Sequence, residues 1–245
     1  MNIPLFLFCG GAAIDRQGRP KPLMKIREDR SLIVHFLYYL ERHRPVMPSS
    51  VTLLCDEGQK AAIEAEMTSL PYPVPIRILS CGTKSSTFEK CEQALRGLTQ
   101  GKELVQFGYP DIFFFGEYAE PNKKVLESNS HVHISAAALT SRFPRLFVDA
   151  YNNEINGISN YSSAVPANPH HVFGGDLWCQ ADVLLELIRE FRSQEKLSAP
   201  SLEYDFFFWL INHRKMRYVM LHGERLWIDS NRDVQLLLAR KNEVS

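Results

Sequence analysis

Two kinds of hydrophobic pattern alternate along the chain. Short apolar runs rich in β-branched or aromatic residues predict strands, and segments with one apolar face at helical spacing predict helices. Such segments alternate at least three times in the first half, which predicts a largely parallel sheet with right-handed crossovers. The strands predicted there are Ile3–Cys9, Val51–Cys55, Ile76–Leu79, Leu104–Phe107 and Val132–Leu139.

Polar residues suited to cap a helix precede the amphipathic segments. Asp56 with Gln59, and Ser86 with Glu89, form capping-box patterns, in which two side chains satisfy the free N–H groups of a first turn. The starts so predicted are Ser31 before Leu32–His43, Asp56 before Lys60–Met67, and Ser86 before a helix with apolar positions at 88, 91, 94, 95 and 98.

The second half of the chain begins with a long irregular stretch, Tyr151–His171, rich in Gly, Pro, Asn and Ser. This composition is typical of a linker or of an active-site flap, and both interpretations stay open. The elements predicted after it are a strand at Val172–Trp178, helices at Ala181–Arg192 and Leu202–His213, a strand at Met216–Leu221, and a last helix capped by Ser230 with Asp233. The apolar run Phe206–Ile211 is typical of a core helix, and part of it is a candidate dimer surface.

Composition narrows the class of protein. A chain of 245 residues with 45% hydrophobic and 23% charged residues matches a globular domain. Its 28 basic and 28 acidic residues cancel, so no overall field favours nucleic acid or an anionic membrane. The apolar runs fall far short of the ~20 residues that a membrane-spanning helix needs. Five scattered cysteines and the lack of a signal-peptide pattern favour a cytoplasmic protein with reduced thiols.

The turn after the first predicted strand is the first candidate for chemistry. Gly10 and Gly11 stand at the carboxyl end of that strand, where backbone N–H groups can approach an anion closely. Arg16, Arg19 and Lys21 follow within ten residues, and an anion among them would relieve their mutual repulsion. The spacing matches neither a P-loop nor a dinucleotide-binding fingerprint. A solvated basic loop is the alternative interpretation.

This region resembles the nucleotidyltransferases that make nucleoside-diphosphate sugars, including glucose-1-phosphate cytidylyl- and thymidylyltransferases. Those enzymes open with a strand, Gly-Gly-x-Gly-Thr-Arg, a variable loop and Lys-Pro-Lys-Pro-Met. This chain has Gly10-Gly11, then Arg19-Pro20-Lys21-Pro22-Leu23-Met24, but Ala13-Ile14-Asp15 replaces Gly-Thr-Arg and Arg16 comes one position late. The resemblance implies that Lys21 and Arg16 are catalytic residues facing phosphates. It implies a nucleotide site at Cys9, Gly10, Gly11 and Ala12.

Two further motifs extend the resemblance to a metal site. Phe107-Gly108-Tyr109-Pro110-Asp111 is similar to the family's Gly-Phe-Pro-Asp, and Trp227-Ile228-Asp229 to its Trp/Tyr-x-Asp segment. The resemblance therefore implies that Gly108 lies near the nucleotide and that Asp111 and Asp229 bind Mg²⁺. Carboxylates at strand ends suit a hard cation that phosphate oxygens also ligate. A simple Pro-Asp turn is the alternative for Asp111.

Weaker parallels concern the base and the acceptor. Gly82 and Ser86 correspond to the segment near the nucleotide base, with a plain helix cap as the alternative. Gly174, Gly175 and Glu203 correspond to elements that line the sugar pocket, and Asp205 stands beside them. The family's Glu-Lys-Pro lysine, which holds the sugar phosphate, is expected at 161–165, where this chain reads Tyr-Ser-Ser-Ala-Val. Its absence leaves the identity of the acceptor open.

The resemblance covers nearly the whole chain and implies one domain, 1–245, with a Rossmann-like three-layer α/β/α sandwich around a mixed, mostly parallel sheet. The implied protein is a cytoplasmic, Mg²⁺-dependent enzyme of nucleotide-sugar and polysaccharide biosynthesis. It would transfer a nucleoside monophosphate from an NTP to a phosphorylated acceptor, a sugar 1-phosphate, and release pyrophosphate. Nucleic acid and membrane are not expected partners, and a homo-oligomer stays possible. Two alternatives are a cytidylyltransferase acting on a phosphorylated non-sugar and a nucleotide-binding relative with impaired catalysis.

Overall fold

The computed structural model describes residues 3–10, 19–27, 30–44, 46–68, 70–98, 103–117, 131–138, 145–149, 154–159 and 171–239. Its strands are β1 Leu5–Phe8, β2 Lys25–Arg27, β3 Arg30–Ser31, β4 Val51–Cys55, β5 Ile76–Ser80, β6 Leu104–Gly108, β7 Ile112–Glu117, β8 Val132–Ala138, β9 Arg145–Asp149, β10 Glu154–Ser159, β11 His171–Gln180 and β12 Met216–Trp227. Its α-helices are α1 Leu32–His43, α2 Lys60–Met67, α3 Thr87–Arg96, α4 Ala181–Gln194, α5 Phe207–Asn212 and α6 Asn231–Ala239.

One large mixed sheet organises these elements in the order β5-β4-β1-β6-β11-β8-β12-β10-β9, and β7 pairs with the outer half of β12. The first four strands of this order are mutually parallel, as are β8 and β12. β11 lies antiparallel between β6 and β8. The predicted fold class, an α/β domain with a mixed and mostly parallel sheet, is confirmed.

The alternation of side chains along β1 explains the layers. Phe6 and Phe8 belong to a core shared with α3 and α4, whereas Leu5 and Leu7 belong to a second core shared with α1. Successive residues of a strand point to opposite faces, so a strand that is apolar at every position must be covered on both sides. The helices therefore form layers on both faces of the sheet, as the sandwich prediction requires.

The structure also corrects several sequence-based predictions. The stretch Tyr151–His171 is not irregular throughout, because its residues 154–159 form β10. The segment Leu202–His213 is not a uniform α-helix, because it starts with a π-helical turn at Leu202–Phe206. The hairpin of β2 and β3 and the strands β7 and β9 were not predicted. β12 continues six residues beyond the predicted Leu221, because β7 supplies a hydrogen-bonding partner for that extension.

Two observations bear on the remaining composition arguments. All five cysteines are buried free thiols. Among the described residues, no helix combines the length and apolar character that crossing a membrane requires. The run Phe206–Ile211 is core as predicted, except that Phe208 is about half exposed.

Candidate functional site

The carboxyl ends of the parallel strands bring the first predicted site residues to one edge of the sheet. Cys9 and Gly10 follow β1, Gly82 follows β5, and Gly108 ends β6. Parallel strands that are neighbours end at the same edge, where open α/β sheets bind ligands. Segments far apart in sequence therefore meet at one edge, as the motif order predicted.

Lys21 forms the centre of the site. Its Nζ lies 2.5 Å from Asp111 Oδ2 and 2.7 Å from Asp229 Oδ1, so one ammonium bridges both predicted metal ligands. Burial alone would lower the pKa of the Lys21 ammonium, but the charges and hydrogen bonds of the two aspartates raise it above its ordinary value. Lys21 is therefore a fixed cation at neutral pH.

The pairing of β7 with β12 explains how the two aspartates meet. Trp227, at the end of β12, is paired in register with Ile112, at the start of β7. The ladder is extended by the Ile228 N–H, which donates to the Asp111 carbonyl at 2.9 Å. Asp111, directly before β7, and Asp229, directly after Ile228, are thus brought together. Trp227 also donates from Nε1 to Asp111 Oδ2 at 2.9 Å, which orients that carboxylate.

Local structure positions the other two residues of the cluster, Asp229 and Lys21. The backbone N–H of Asp229 donates to Asp233 Oδ2 at 3.0 Å, and Ser230 Oγ donates to the same oxygen at 2.8 Å. The predicted cap of α6 therefore also fixes Asp229. Lys21 begins a 3₁₀ turn, Lys21–Leu23, in which Leu23 is buried against the core and anchors the turn.

The donor set suits a divalent cation. The two carboxylate oxygens each contact the same Lys21 nitrogen, so they lie at most about 5 Å apart. Two carboxylates that leave the remaining positions to water and phosphate oxygens are typical of Mg²⁺ sites that act on phosphates. No group of three or more His, Cys, Asp or Glu side chains suited to hold a metal occurs within the described part of the chain. Asp111 and Asp229 would therefore share the ion with its substrate.

A buried ion pair lies beside Gly10, and sequence reasoning missed it as a feature of the site. Lys90 of α3 is 1% exposed, and its Nζ lies 2.7 Å from Asp56 Oδ1. The signal in the sequence was a lysine four residues before Ala94, on the apolar side of its helix. Asp56 was predicted only as a helix cap. The structure confirms this role, since the Asp56 N–H donates to Gln59 Oε1 at 3.3 Å.

The nucleotide-site predictions at β5 and β6 have clear structural roles. Gly82 has a φ of +95°, which favours glycine at this turn. Ser86 caps α3, since its hydroxyl accepts from the Glu89 N–H at 3.2 Å and Glu89 Oε2 accepts from the Ser86 N–H at 2.8 Å. Gly108 lies against Asp176 and Leu7. Contact of these residues with a nucleotide stays a prediction.

The acceptor-site glycines lie at an irregularity of β11. The pairing of β11 with β8 shifts between Phe173 and Leu177. A Cβ at Gly174 would come within 2.4 Å of Ser135 Oγ, and one at Gly175, where φ is +104°, within 2.7 Å of Ile112 Cδ1. Packing alone therefore requires both glycines, whether or not a sugar binds beside them.

The two acidic residues of the predicted acceptor site differ in role. Glu203 accepts hydrogen bonds from the Tyr109 hydroxyl and from Thr87 Oγ1, and burial raises the pKa of its carboxyl. It links the end of β6 to the start of α3. Asp205 instead accepts from the Ser201 N–H at 2.7 Å, so its carboxylate closes the turn that starts the π-helical segment.

Some predicted residues lie outside the described residues. They are Gly11, Ala12 and Arg16 of the basic loop and the segment 161–165, where the family's lysine was expected. Their predicted roles stay predictions.

Comparison with known proteins connects this arrangement to a fold family. No protein-family model matches the chain, and no curated protein matches it in sequence. Among solved structures, HddC from Yersinia pseudotuberculosis is similar with a TM-score of 0.74 at 14% identity, over 98% of this chain and 99% of that one. The same protein complexed with GMP-PN gives a TM-score of 0.71.

Two other solved structures are similar over the whole fold. A protein from Bacillus anthracis assigned as a glucose-1-phosphate thymidylyltransferase, in complex with sucrose, has a TM-score of 0.70 at 11% identity, with 100% and 97% coverage. UTP-bound UGPase from Acinetobacter baumannii has a TM-score of 0.69 at 11% identity, with 98% and 93% coverage. The chain has the fold of the sugar-phosphate nucleotidyltransferases, so the resemblance read from its motifs is confirmed at the level of fold.

Proposed function

We propose that this protein is a nucleotidyltransferase, which transfers a nucleoside monophosphate from an NTP to a sugar 1-phosphate and releases pyrophosphate. The observation that carries the proposal is the cluster of Lys21, Asp111 and Asp229 at the carboxyl edge of the sheet. These are the residues at which the family's phosphate-binding lysine and metal-binding aspartates were predicted. Solved proteins with this fold include one complexed with GMP-PN and one bound to UTP.

The reaction asks for positioning and charge neutralisation more than for proton transfer. An oxygen of the acceptor phosphate attacks the α-phosphorus in line, a new O–P bond forms, and the bond from the α-phosphorus to the bridging oxygen breaks. The electron pair leaves with pyrophosphate. Because the attacking phosphate is already anionic, the step needs no general base. Lys21 supplies a fixed positive charge beside the phosphates, where charge develops in the transition state.

Asp111 and Asp229 would hold the divalent cation. When bound, Mg²⁺ would neutralise phosphate charge and act as a Lewis acid on phosphate oxygens. The contribution of the protein is to preset the ligands: Trp227 orients Asp111, and the α6 cap orients Asp229. This preorganisation removes the cost of assembling two like charges at the moment of binding.

The acceptor side of the site is argued from Glu203 and from the sequence. Glu203 lies at the junction of β6, α3 and the π-helical turn, where a sugar hydroxyl could exchange with the Tyr109 hydroxyl as its partner. The segment at 161–165 lacks the family's lysine, which favours an acceptor other than glucose 1-phosphate. A neutral pocket would hold that phosphate less tightly than an ammonium does.

A pyrophosphate-release assay tests the proposal. The protein is incubated with each NTP, Mg²⁺ and a panel of sugar 1-phosphates that includes glucose 1-phosphate. We expect turnover with at least one pair, and a kcat/KM for glucose 1-phosphate at least about tenfold below that of the best acceptor.

The variant Asp111→Asn links any activity to the site. We expect its kcat to fall by at least about a hundredfold, as for the loss of a few kcal/mol of electrostatic stabilisation. Asp182→Asn, the same change at the start of α4, is the matched control and should retain wild-type turnover. Equal activity of the two variants, or no pyrophosphate with any pair, would contradict the proposed function.

A further inference from the structure

Lys90 is the most deeply buried charged side chain among the described residues, with 1% of its surface exposed. Its ammonium pairs with Asp56 Oδ1 at 2.7 Å and donates to the Ser85 carbonyl. It therefore joins the turn after β4 to the loop between β5 and α3. Its partners are therefore separate from the cluster of Lys21, Asp111 and Asp229.

Gly10, which follows β1, lies against this lysine. A Cβ built on Gly10 would lie 2.6 Å from Lys90 Cε and 2.9 Å from its Nζ. The ammonium thus occupies the space that a side chain at position 10 would take. One ammonium thus binds residues that follow β4 and β5 and lies beside Gly10, which follows β1.

The ion pair is surrounded by buried residues, among them Cys55 and Cys81. Burial raises the pKa of the nearby Cys55 and Cys81 thiols to about 11, with Lys90 opposing that rise. Placing two charges in such surroundings is expensive, and apolar residues of similar volume often stabilise a fold as well or better. The ion pair is therefore weak evidence for a role in stability alone.

The strand order indicates which part of the substrate would lie over the residues around Lys90. β5, β4 and β1 lie on one side of the site, whereas Asp111 follows β6 on the other side. With neighbouring strands about 4.8 Å apart, the end of β4 lies roughly 10 Å from the end of β6. A nucleotide whose phosphates lie at Lys21 and Asp111 and which extends toward β4 would cross the end of β1 and place its nucleoside over the residues that Lys90 joins.

We propose that Lys90 is a positioning residue for the nucleotide: through its contacts with Asp56, Ser85 and Gly10 it fixes the residues that follow β4 and β5 and the first residue pair after β1, against which the nucleoside of the NTP would rest. This inference rests on the proposed function. It assigns Lys90 to NTP binding and not to the chemical step, since the cluster around Lys21 is held by separate contacts.

The variant Lys90→Met removes the charge and replaces it with an unbranched apolar side chain that is one atom shorter. We expect the Kd and the KM for the NTP to rise at least about tenfold, while kcat at saturation and the KM for the acceptor change less than about threefold. Lys60→Met, which removes an exposed lysine paired with Glu64, is the matched control and should change none of these values. Melting temperatures are measured for every variant.

A second variant keeps the test decisive if Lys90→Met does not fold. Asp56→Asn removes the charge that pairs with Lys90 and leaves the Ser85 carbonyl as an acceptor for the ammonium. It should raise the Kd for the NTP with kcat largely kept. A lowered melting temperature with an unchanged Kd for the NTP would overturn the inference and leave the ion pair a structural feature. If the unaltered protein binds no NTP, the proposed function fails as well.

Discussion

Replacing Lys21 by methionine should have two opposite effects, one on turnover and one on metal binding. The ammonium bridges Asp111, whose side chain is 14% exposed, and Asp229, whose side chain is 41% exposed. A hydrogen bond to a charged group contributes about 1.5–3 kcal/mol, and an exposed ion pair about 0–1 kcal/mol. Taking the low end of the first range for Asp111 and less for Asp229, the bridge is worth roughly 2 kcal/mol.

A divalent cation that enters the nucleotide-free site must displace this ammonium. Without it, the two carboxylates would repel each other until a cation binds between them. A free-energy change of roughly 2 kcal/mol corresponds to about thirtyfold in affinity. We therefore expect Lys21→Met to bind Mn²⁺ at least about tenfold more tightly than the unaltered protein, while its turnover with NTP falls at least about a hundredfold.

Metal binding is measured by titrating the nucleotide-free protein with Mn²⁺ and monitoring the electron paramagnetic resonance signal of the free ion. Lys25→Met is the matched control, because the ammonium of Lys25 pairs with a different carboxylate, Glu66, at a distance of 3.1 Å. Its Mn²⁺ affinity and turnover should stay within about twofold of the unaltered protein. Unchanged or weaker Mn²⁺ binding by Lys21→Met would refute the idea that the lysine and the metal compete for the same carboxylates.

Two further predictions concern stability. Gly175→Ala should destabilise the protein by about 2 kcal/mol or more, since φ is +104° and a Cβ would meet Ile112 at 2.7 Å, whereas Gly58→Ala, with open space around it, should change stability by less than about 1 kcal/mol. Urea unfolding measures both, and similar losses would contradict the packing argument. Burial lowers the pKa of His35 to about 4 from 6.5, so the unfolded chain binds a proton that the folded one does not, and stability is lost as pH falls through this window. His35→Leu should therefore reduce the stability lost between pH 7.5 and pH 5 by about 2 kcal/mol, and an unchanged loss would show that His35 is not protonated on unfolding.

Local patterns in the sequence determined the first half of the fold. The strands that became β1, β4, β5 and β6 were predicted to within about two residues, because a buried parallel strand is a short apolar run that chain-local rules recognise. The capping box at Ser86 formed as predicted, and Ser230 accepts from the Asp233 N–H at 3.4 Å as the predicted cap of α6. Both signals are local, since the partners lie three residues apart.

Strands that depend on distant partners were missed. β7 is a continuous apolar run with no alternation, and its pairing with the end of β12 joins segments more than a hundred residues apart. β10 is a different case, because it pairs with the preceding strand β9 from Asp149 and Glu154 onward, and with β12 at Glu154. Its partner is close in sequence, but the stretch around it is rich in Gly, Pro, Asn and Ser, so composition gave the wrong answer for β10.

The candidate site shows the same division. The resemblance of three motifs, in their order along the chain, was what selected Lys21, Asp111 and Asp229 as candidate site residues. Only the tertiary structure shows that one ammonium lies between the two carboxylates and that Asp205 closes a turn. The same holds for the Lys90 side chain, which lies against Gly10. These outcomes depend on distances between side chains brought together by the sheet, and such distances are set by packing across strands and not by spacing along the chain.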